Sequence, residues 1–271
     1  MKQLIAAALP FPFRVMLTAI RARRHSHALN AEWGVRALSQ RLHDTLGGTV
    51  QAGPFAGLRV PAAAIPEHLG PYLAGTYERE LHPTWARLAT MGVPLVVDVG
   101  CKVGYYAVGL GRMFGCPTVA YDADPWARRL TAMTAVDNHV AVTVHGLCGR
   151  DDFASLPPGA LVVMDIEGGE EALLAAPLPA GLDRAVVVVE LHEMVRAGLS
   201  QAVTAALATT HTIERIPTAS PPDPPPCLAF LQERERTLAV NEHRSEQSWV
   251  VGWPLRIPGR PEAGQLRMRG R

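Results

Sequence analysis

Residues 94–104 read PLVVDVGCKVG, and our prediction of the fold starts from this stretch. Apolar residues flank one acid, Asp98, and the glycines Gly100 and Gly104 follow before a helix begins near Tyr105. Glycine permits a tight turn from strand to helix and lets a ligand approach the backbone closely. The stretch therefore predicts a strand, a ligand-binding turn and a helix in succession.

Short apolar runs continue after this stretch and alternate with segments of helical length. Because the runs are apolar nearly throughout, they predict strands buried on both faces in a parallel sheet covered by helices. The runs are PLVVDV (94–99), PTVAY (117–121), VAVTVH (140–145), ALVVMDI (160–166) and AVVVVEL (185–191). The predicted fold class is α/β, with a doubly wound, mostly parallel sheet of the Rossmann-like kind.

The remaining strands are predicted from the last third of the chain. HTIERI (211–216) reads as a sixth strand, and CLAFLQ (227–232) and SWVVGW (248–253) are further candidates, one of them antiparallel at the sheet edge. The segment PTASPPDPPP (217–226) predicts an exposed loop, because proline lacks a backbone donor.

The first 92 residues do not show this alternation. Asn30 is placed to cap a helix over 30–46, and TVQAGPFAGLRVP at 49–61 predicts two short strands around a Gly-Pro turn. We therefore predict three segments. They are an N-terminal helical and hairpin extension that caps the site (1–92), a Rossmann-like domain (93–258) and a loose basic tail (259–271).

Composition excludes several classes of protein. The 271 residues carry a net charge of +1 and are 48% hydrophobic, which excludes a disordered chain and gives no reason to expect nucleic acid as a partner. No apolar stretch approaches the ~20 residues of a membrane span. Prolines break the apolar start of the chain, which favours a packed helix over a signal peptide. The four cysteines lack C-x-x-C spacing, which favours free thiols in a reducing, cytoplasmic compartment.

An acid also ends the second predicted strand. Asp122 follows Asp98 by 24 residues, close to the ~20-residue offset of an acid that binds ribose hydroxyls in doubly wound folds. A carboxylate accepts two hydroxyl hydrogen bonds in a bidentate manner. The alternative is that Asp122 merely ends its strand, and Asp124 is the better placed of the two to cap the next helix.

Titratable residues end the fourth and fifth strands. The segment MDIEGGEE contributes Asp165 and Glu167, and VELHE contributes Glu190 and His192. Ligands of open α/β sheets bind outside the carboxyl ends of the strands, so these side chains are expected to converge at one crevice.

The chain resembles the S-adenosylmethionine-dependent class I methyltransferases and, more narrowly, the FkbM-type family. The resemblance rests on four stretches that follow one another in this order: VVDVGCKVGYYA, VAYDADP, LVVMDIEGGEEALL and VVVVELHE. The resemblance extends over roughly 49–253, including GTYERE at 75–80 and the tail residues Glu242, Arg244 and Trp249. Its most specific part is the D-x-E-G-x-E block. Lys102 stands where the family often has an asparagine.

The resemblance implies that the Rossmann-like sheet has seven strands. It also implies that the chain binds S-adenosylmethionine and methylates a hydroxyl of a small molecule such as a sugar, a polyketide or another secondary metabolite. A base is useful for this reaction, and His192 is the first candidate, with Asp165 the second. The cofactor-binding residues that it implies are Tyr77, Glu78, Asp98, Gly100, Cys101, Lys102, Gly104, Asp122, Ala123, Gly146, Leu147 and Asp165.

Several alternatives stay open. A nicotinamide-dependent oxidoreductase would use the same sheet, but G-x-G-x-x-G is absent. A metal-assisted methyltransferase would use Asp165, Glu190 and His192 as ligands; no tight spacing requires this, so no metal is predicted. Lys102 also motivates an inactive cofactor-binding partner protein. Homo-oligomerisation is left open.

Overall fold

The computed structural model describes residues 30–244 and 247–255, and a seven-stranded sheet lies at its centre. Its strands are β1 (Val96–Val99), β2 (Thr118–Tyr121), β3 (Val142–His145), β4 (Leu161–Met164), β5 (Val186–Leu191), β6 (His211–Pro217) and β7 (Ser248–Pro254). The α-helices are α1 (Val35–Leu46), α2 (Gly70–Ala74), α3 (His82–Ala89), α4 (Tyr105–Phe114), α5 (Pro125–Asp137), α6 (Glu170–Leu174), α7 (Leu199–Ala208) and α8 (Glu233–Val240).

The strand order across the sheet is β3-β2-β1-β4-β5-β7-β6. Strands β1 to β5 pair in parallel, and β7 is antiparallel to both β5 and β6. This order confirms the predicted doubly wound, mostly parallel sheet of seven strands. The antiparallel strand at 248–254 lies inside the sheet, between β5 and β6, and not at the edge where we placed it.

The prediction of a strand at 227–232 is wrong. Residues Pro226–Leu228 form a 3₁₀ turn, and the N–H of Leu231 donates to the carbonyl of Leu228. Leu228 and Leu231 are both buried, and their spacing of three suits a helical turn and not the alternation of a strand. Pro226 adds to this outcome, because its nitrogen cannot donate to a strand ladder.

The central strands are buried because both faces of the sheet are covered. In β1, for example, Val96 packs into one hydrophobic cluster, whereas Val97 packs into another on the opposite face. The same alternation recurs in β4, where Val163 belongs to the first cluster and Val162 to the second. Near-continuous apolar runs are therefore the sequence pattern that this sheet requires.

The N-terminal extension contains the predicted helix and only a trace of the predicted hairpin. Residues 30–33 are helical, but Gly34 adopts a left-handed φ of 67° and separates them from α1. The expected strand pair over 49–61 is reduced to a single antiparallel bridge between Thr49 and Arg59. Gly53 and Gly57 both have positive φ values, so the chain turns between Thr49 and Arg59 instead of continuing as extended strands.

Several of the first 92 residues share a core with the sheet. Trp85 of α3 is fully buried and contacts Tyr106 of α4 edge to face, with ring centroids 5.3 Å apart. Phe55 lies beneath Gly109 of α4, where an added Cβ would come within 2.6 Å of the ring. The division near residue 92 stays a prediction, and the predictions for residues 1–29 and for the tail over 259–271 lie outside the described residues.

Two further sequence-based expectations concern the cysteines and membrane spans. All four cysteines are free thiols. Within residues 30–244 and 247–255, no helix has the length and apolar character needed to cross a membrane.

The contact between α3 and α4 predicts a large effect of Trp85→Ala on stability. Removing a fully buried indole costs about 3–5 kcal/mol, because the cavity that remains is only partly filled. The matched control is Trp126→Ala, since Trp126 is 37% exposed and its loss should cost less than about 1 kcal/mol. Urea unfolding of the two variants measures both values, and equal losses would contradict a packed N-terminal extension.

Candidate functional site

The turn after β1 is built from residues with left-handed backbone conformations. Gly100, Lys102 and Gly104 have φ values of 99°, 45° and 80°. A Cβ on Gly100 would lie 1.8 Å from the carbonyl oxygen of Asp165, so only glycine fits between β1 and the end of β4. The N–H of Gly100 donates to the carbonyl of Tyr121 at 2.8 Å, which joins the turn to β2.

Asp98 lies beneath this turn and is 3% exposed. It accepts a hydrogen bond from the N–H of Ala107 in the first turn of α4, and burial raises its pKa to about 7. Its Oδ2 atom is buried, and no polar group of the described residues bonds to it. A ligand that brings a hydrogen-bond donor or a positive charge would satisfy this oxygen.

Asp122 joins the end of β2 to the glycine turn. Its Oδ2 accepts from the N–H of Lys102 at 3.0 Å, and its Oδ1 accepts from the N–H of Asp124 at 2.8 Å. Burial raises the pKa of Asp122, and its carboxylate keeps lone pairs for further donors. Asp124 caps α5 through the N–H of Trp126 at 2.9 Å, as the sequence predicted.

The other predicted cofactor residues of the first three strands are placed differently. Cys101 is buried behind the turn, where the Thr131 hydroxyl lies 3.2 Å from its sulfur, whereas Lys102 is exposed. Ala123 lies beside Asp122, and its carbonyl accepts from Arg128 at 3.0 Å.

The loop after β3 lies at the same edge of the sheet. Gly146 and Leu147 are exposed there. The neighbouring rings of Tyr121 and His145 stack with centroids 5.3 Å apart. The loop thus offers an apolar side chain beside a pair of stacked rings.

The imidazole of His192 lies among the acidic side chains at the ends of β4 and β5. The His192 side chain is 1% exposed, and its Nδ1 lies 2.8 Å from Oε1 of the fully buried Glu170. Its Nε2 lies 3.4 Å from Glu190, 3.4 Å from Glu167 and 3.5 Å from Asp165. The structure therefore brings together the residues that the sequence placed at this crevice, and it adds Glu170 as the partner of Nδ1.

The charges of this cluster decide which group is available as a base. Burial alone would lower the pKa of His192, but the hydrogen bond to Glu170 and the nearby carboxylates of Glu190 and Asp165 raise it to about 12. An imidazolium cannot accept a proton at neutral pH. Burial and the charge of Glu190 raise the pKa of Asp165, the second candidate base, and so favour its protonated form.

Arg244 is a site residue whose importance the sequence did not reveal. Its guanidinium contacts four carboxylates. They are those of Glu80 at 2.8 Å, Glu242 at 3.0 Å, Glu190 at 3.3 Å and Glu78 at 3.5 Å. The segment GTYERE and the later E-x-R were the available signals, but only the fold shows that they meet.

Tyr77 and Glu78 form the wall of the crevice next to this arginine. Glu78 is buried, adopts a left-handed φ of 45° and accepts a short hydrogen bond from the Tyr106 hydroxyl. The Tyr77 ring lies 4.1 Å from the ring of Tyr72 and 5.5 Å from that of Tyr105, centroid to centroid. Both predicted residues therefore lie against the sheet domain.

The crevice carries an excess of acidic groups. Burial raises the pKa of Glu78 to about 8 and that of Glu242 to about 7, although Arg244 opposes both shifts. In the described part of the chain, His192 and Arg244 pair with the carboxylates of Glu78, Glu80, Asp165, Glu167, Glu170, Glu190 and Glu242. Such a site favours a ligand that carries positive charge.

Comparison with known proteins gives structural likeness alone. No family model matches the chain, and no curated protein matches it in sequence. An O-methyltransferase from Bacillus cereus, solved in complex with SAH, is 9% identical with a TM-score of 0.45, covering 85% of this chain and 97% of that one. An rRNA methylase from Streptococcus thermophilus is 16% identical with a TM-score of 0.44, covering 66% and 99%.

A third solved structure, a TehB-like SAM-dependent methyltransferase from Corynebacterium glutamicum, is 17% identical with a TM-score of 0.38, covering 65% of this chain and 93% of that one. The identities are below 25% and the TM-scores below 0.5. The chemistry of this chain is therefore inferred from its own residues.

The buried Asp98 predicts a dependence of stability on pH. Its pKa is about 7 in the folded chain against 3.8 when unperturbed, so the folded state loses stability as the pH rises from about 4 through 7. Asp98→Asn lacks this ionisation. The variant should gain at least ~1 kcal/mol relative to the wild type between pH 4 and pH 8.

Urea unfolding of both proteins at pH 4, 6 and 8 measures this gain. The control is Asp183→Asn, because Asp183 is exposed and lies before the start of β5, at the opposite edge of the sheet. A constant difference between Asp98→Asn and wild type would show that Asp98 ionises normally.

Proposed function

We propose that this chain is an S-adenosylmethionine-dependent methyltransferase that acts on a hydroxyl of a small molecule. The observation that carries the proposal is the pair of acids around the glycine turn, with Asp98 beneath it and Asp122 bonded to the N–H of Lys102. The carboxylate of Asp98 beneath the turn repels a pyrophosphate and favours an ammonium group, whereas Asp122 suits the hydroxyls of a ribose. Asp98 therefore disfavours the nicotinamide-dependent alternative, and Asp122 is compatible with either cofactor.

The residues present fit this cofactor. The orphaned Oδ2 of Asp98 offers an acceptor for the ammonium of its methionine part, and the close backbone approach at Gly100 leaves a cradle that a Cβ would fill. Lys102 is exposed at the same turn and is suited to the carboxylate. Asp122 and Ala123 would hold the ribose, and Gly146 and Leu147 would lie against the adenine.

The acidic crevice supports a role in methyl transfer. When bound, S-adenosylmethionine would supply a methyl group activated by a positively charged sulfur, and S-adenosylhomocysteine would be the product that remains after transfer to the acceptor oxygen. The carboxylates around His192 and Arg244 would favour that positive charge. Asp165 would accept the hydroxyl proton, because it follows β4 directly beside the glycine turn and its side chain is partly exposed.

The finer assignments belong to the same proposal. Membership of the FkbM-type family, with a sugar, polyketide or related metabolite as the acceptor, is supported by the D-x-E-G-x-E block and the GTYERE segment. Glu78, Glu80 and Glu170 of these two segments take part in the charged cluster, so the motifs are part of the crevice.

Ligand binding tests the proposal directly. S-adenosylhomocysteine should raise the melting temperature of the purified protein, because any ligand of the native state stabilises it by mass action. NAD and NADP should leave the melting temperature unchanged. Stabilisation by a nicotinamide nucleotide and not by S-adenosylhomocysteine would overturn the proposed cofactor class.

Turnover is the second part of this test. Methyl transfer from S-adenosylmethionine to a panel of hydroxylated metabolites, followed by mass spectrometry, should show a gain of one methyl group on an oxygen. Tight binding of S-adenosylhomocysteine with no transfer to any acceptor would instead favour the inactive partner protein that Lys102 suggested.

Asp122 is the residue whose loss should weaken cofactor binding most selectively. Asp122→Ala removes hydrogen bonds to a charged acceptor, each of which contributes ~1.5–3 kcal/mol, so the Kd for S-adenosylhomocysteine should rise about tenfold or more. Calorimetry measures the change. Asp122→Asn keeps one oxygen that can accept the hydrogen bond from the Lys102 N–H and so preserves the turn. A loss of affinity in this variant would therefore reflect lost contacts with the ligand and not a disturbed loop.

Asp137→Ala is the matched control, because Asp137 is an exposed acid at the far end of α5 and should leave the Kd unchanged. An unaltered Kd in a folded Asp122→Ala variant would remove Asp122 from the binding site.

A further inference from the structure

Three potential metal ligands meet at the ends of β4 and β5. Asp165, Glu190 and His192 each offer one ligand atom, and these atoms all lie within 4.8 Å of one another. Asp165 follows β4, whereas Glu190 and His192 lie at the end of β5, so the ligands come from two separate parts of the chain. The parallel pairing of β4 with β5 is what brings the three together.

The second observation is the orientation of His192. Its Nδ1 lies 2.8 Å from Glu170, which is fully buried and is itself held by the N–H of Gly168 at 3.1 Å. Its Nε2 is buried at the cluster and makes no hydrogen bond of ordinary geometry within the described chain. A histidine that ligates a metal typically donates its other ring N–H to a carboxylate, as His192 can to Glu170.

The separations within the cluster suit coordination. Nε2 lies 3.4 Å from a carboxylate oxygen of Glu190 and 3.5 Å from one of Asp165. Atoms bound to one metal at about 2.0–2.2 Å are about 3.0–3.5 Å apart, depending on whether the geometry is octahedral or tetrahedral. Both separations from Nε2 match these distances, and the three ligand atoms all lie within 4.8 Å of one another, so the cluster would close slightly around a shared ion.

Carboxylates outnumber the basic groups at this point, which are His192, Arg244 and Lys102. Glu190 is shared between His192 and Arg244, and Arg244 already contacts three further carboxylates. Asp165 has a buried Oδ1 without a hydrogen-bond partner in the described residues. A divalent ion would supply a ligand to this oxygen and to Nε2 at once.

We propose that Asp165, Glu190 and His192 bind one divalent metal ion at the carboxyl ends of β4 and β5. His192 binds the ion through Nε2 as a neutral imidazole, so the proton that Nε2 carries without the ion is released to water when the metal binds. One imidazole nitrogen with two carboxylate oxygens is a borderline donor set, which suits Mn²⁺ or Zn²⁺ better than Ca²⁺. Glu170 is a positioning residue that orients the imidazole, and the half-exposed Glu167 is the nearest further oxygen donor.

The function of the ion rests on the proposed methyl transfer. Asp165 lies on the strand beside the glycine turn, and its carbonyl packs directly against Gly100. An ion at this position would lie next to the cofactor site and would bind and orient the hydroxyl oxygen of the acceptor. Binding of the ion itself does not depend on that role.

Metal titration tests the site. Mn²⁺ is added to the metal-stripped full-length protein, and the loss of the free-ion signal in electron paramagnetic resonance reports binding. The expected result is one bound Mn²⁺ per chain, which Zn²⁺ displaces. Asp165→Asn and Glu190→Gln preserve the size of their side chains and should weaken binding about tenfold or more.

Two further variants sharpen the test. Glu170→Gln should weaken Mn²⁺ binding ~10–100-fold without removing a ligand, as expected of a residue that orients a metal-binding histidine. Asp183→Asn, the exposed acid at the opposite sheet edge, should bind Mn²⁺ as the wild type does. Circular dichroism of each variant verifies that it is folded.

The outcomes separate this inference from the proposed function. If the folded wild type binds no Mn²⁺ or Zn²⁺, or if Asp165→Asn and Glu190→Gln bind as the wild type does, the metal site is refuted. His192 is then an imidazolium shared among carboxylates. Binding of S-adenosylhomocysteine is measured on the same samples by calorimetry, so that the proposed cofactor site is tested independently of the metal site.

Discussion

The close approach of Gly100 to the carbonyl of Asp165 is the constraint on which the rest of the site depends. A Cβ at residue 100 would lie 1.8 Å from that oxygen, so the turn after β1 and the end of β4 touch through their backbones. This contact sets the distance between the two halves of the crevice. On one side lie Asp98 and Asp122, and on the other lies the cluster around His192.

Charge is the second organising feature of the crevice. His192 and Arg244 are buried or nearly so, and each is surrounded by carboxylates that come from separate parts of the chain. Glu190 contacts both cations and so links the two groups. Unpaired buried charge is costly, and removing one partner of such a network is expected to be strongly destabilising. The acids therefore contribute to the fold as well as to the chemistry.

The N-terminal extension and the sheet are connected by the same network. Glu78 and Glu80 follow α2, whereas their partner Arg244 lies just before β7. The Tyr106 hydroxyl of α4 donates to Glu78 from the sheet side. A ligand in the crevice would thus contact residues of both segments, and its charge would interact with the acidic side chains of both.

Local sequence patterns predict the sheet and the acids at its carboxyl edge, because buried parallel strands need continuous apolar runs and helix caps such as Asp124 are local signals. These patterns failed at 227–232, where Leu228 and Leu231 are buried in a turn. The contacts of Arg244 with Glu78 and of Glu170 with His192 arise from the tertiary fold alone. These partners are distant in the chain, and no local pattern encodes their distance in space.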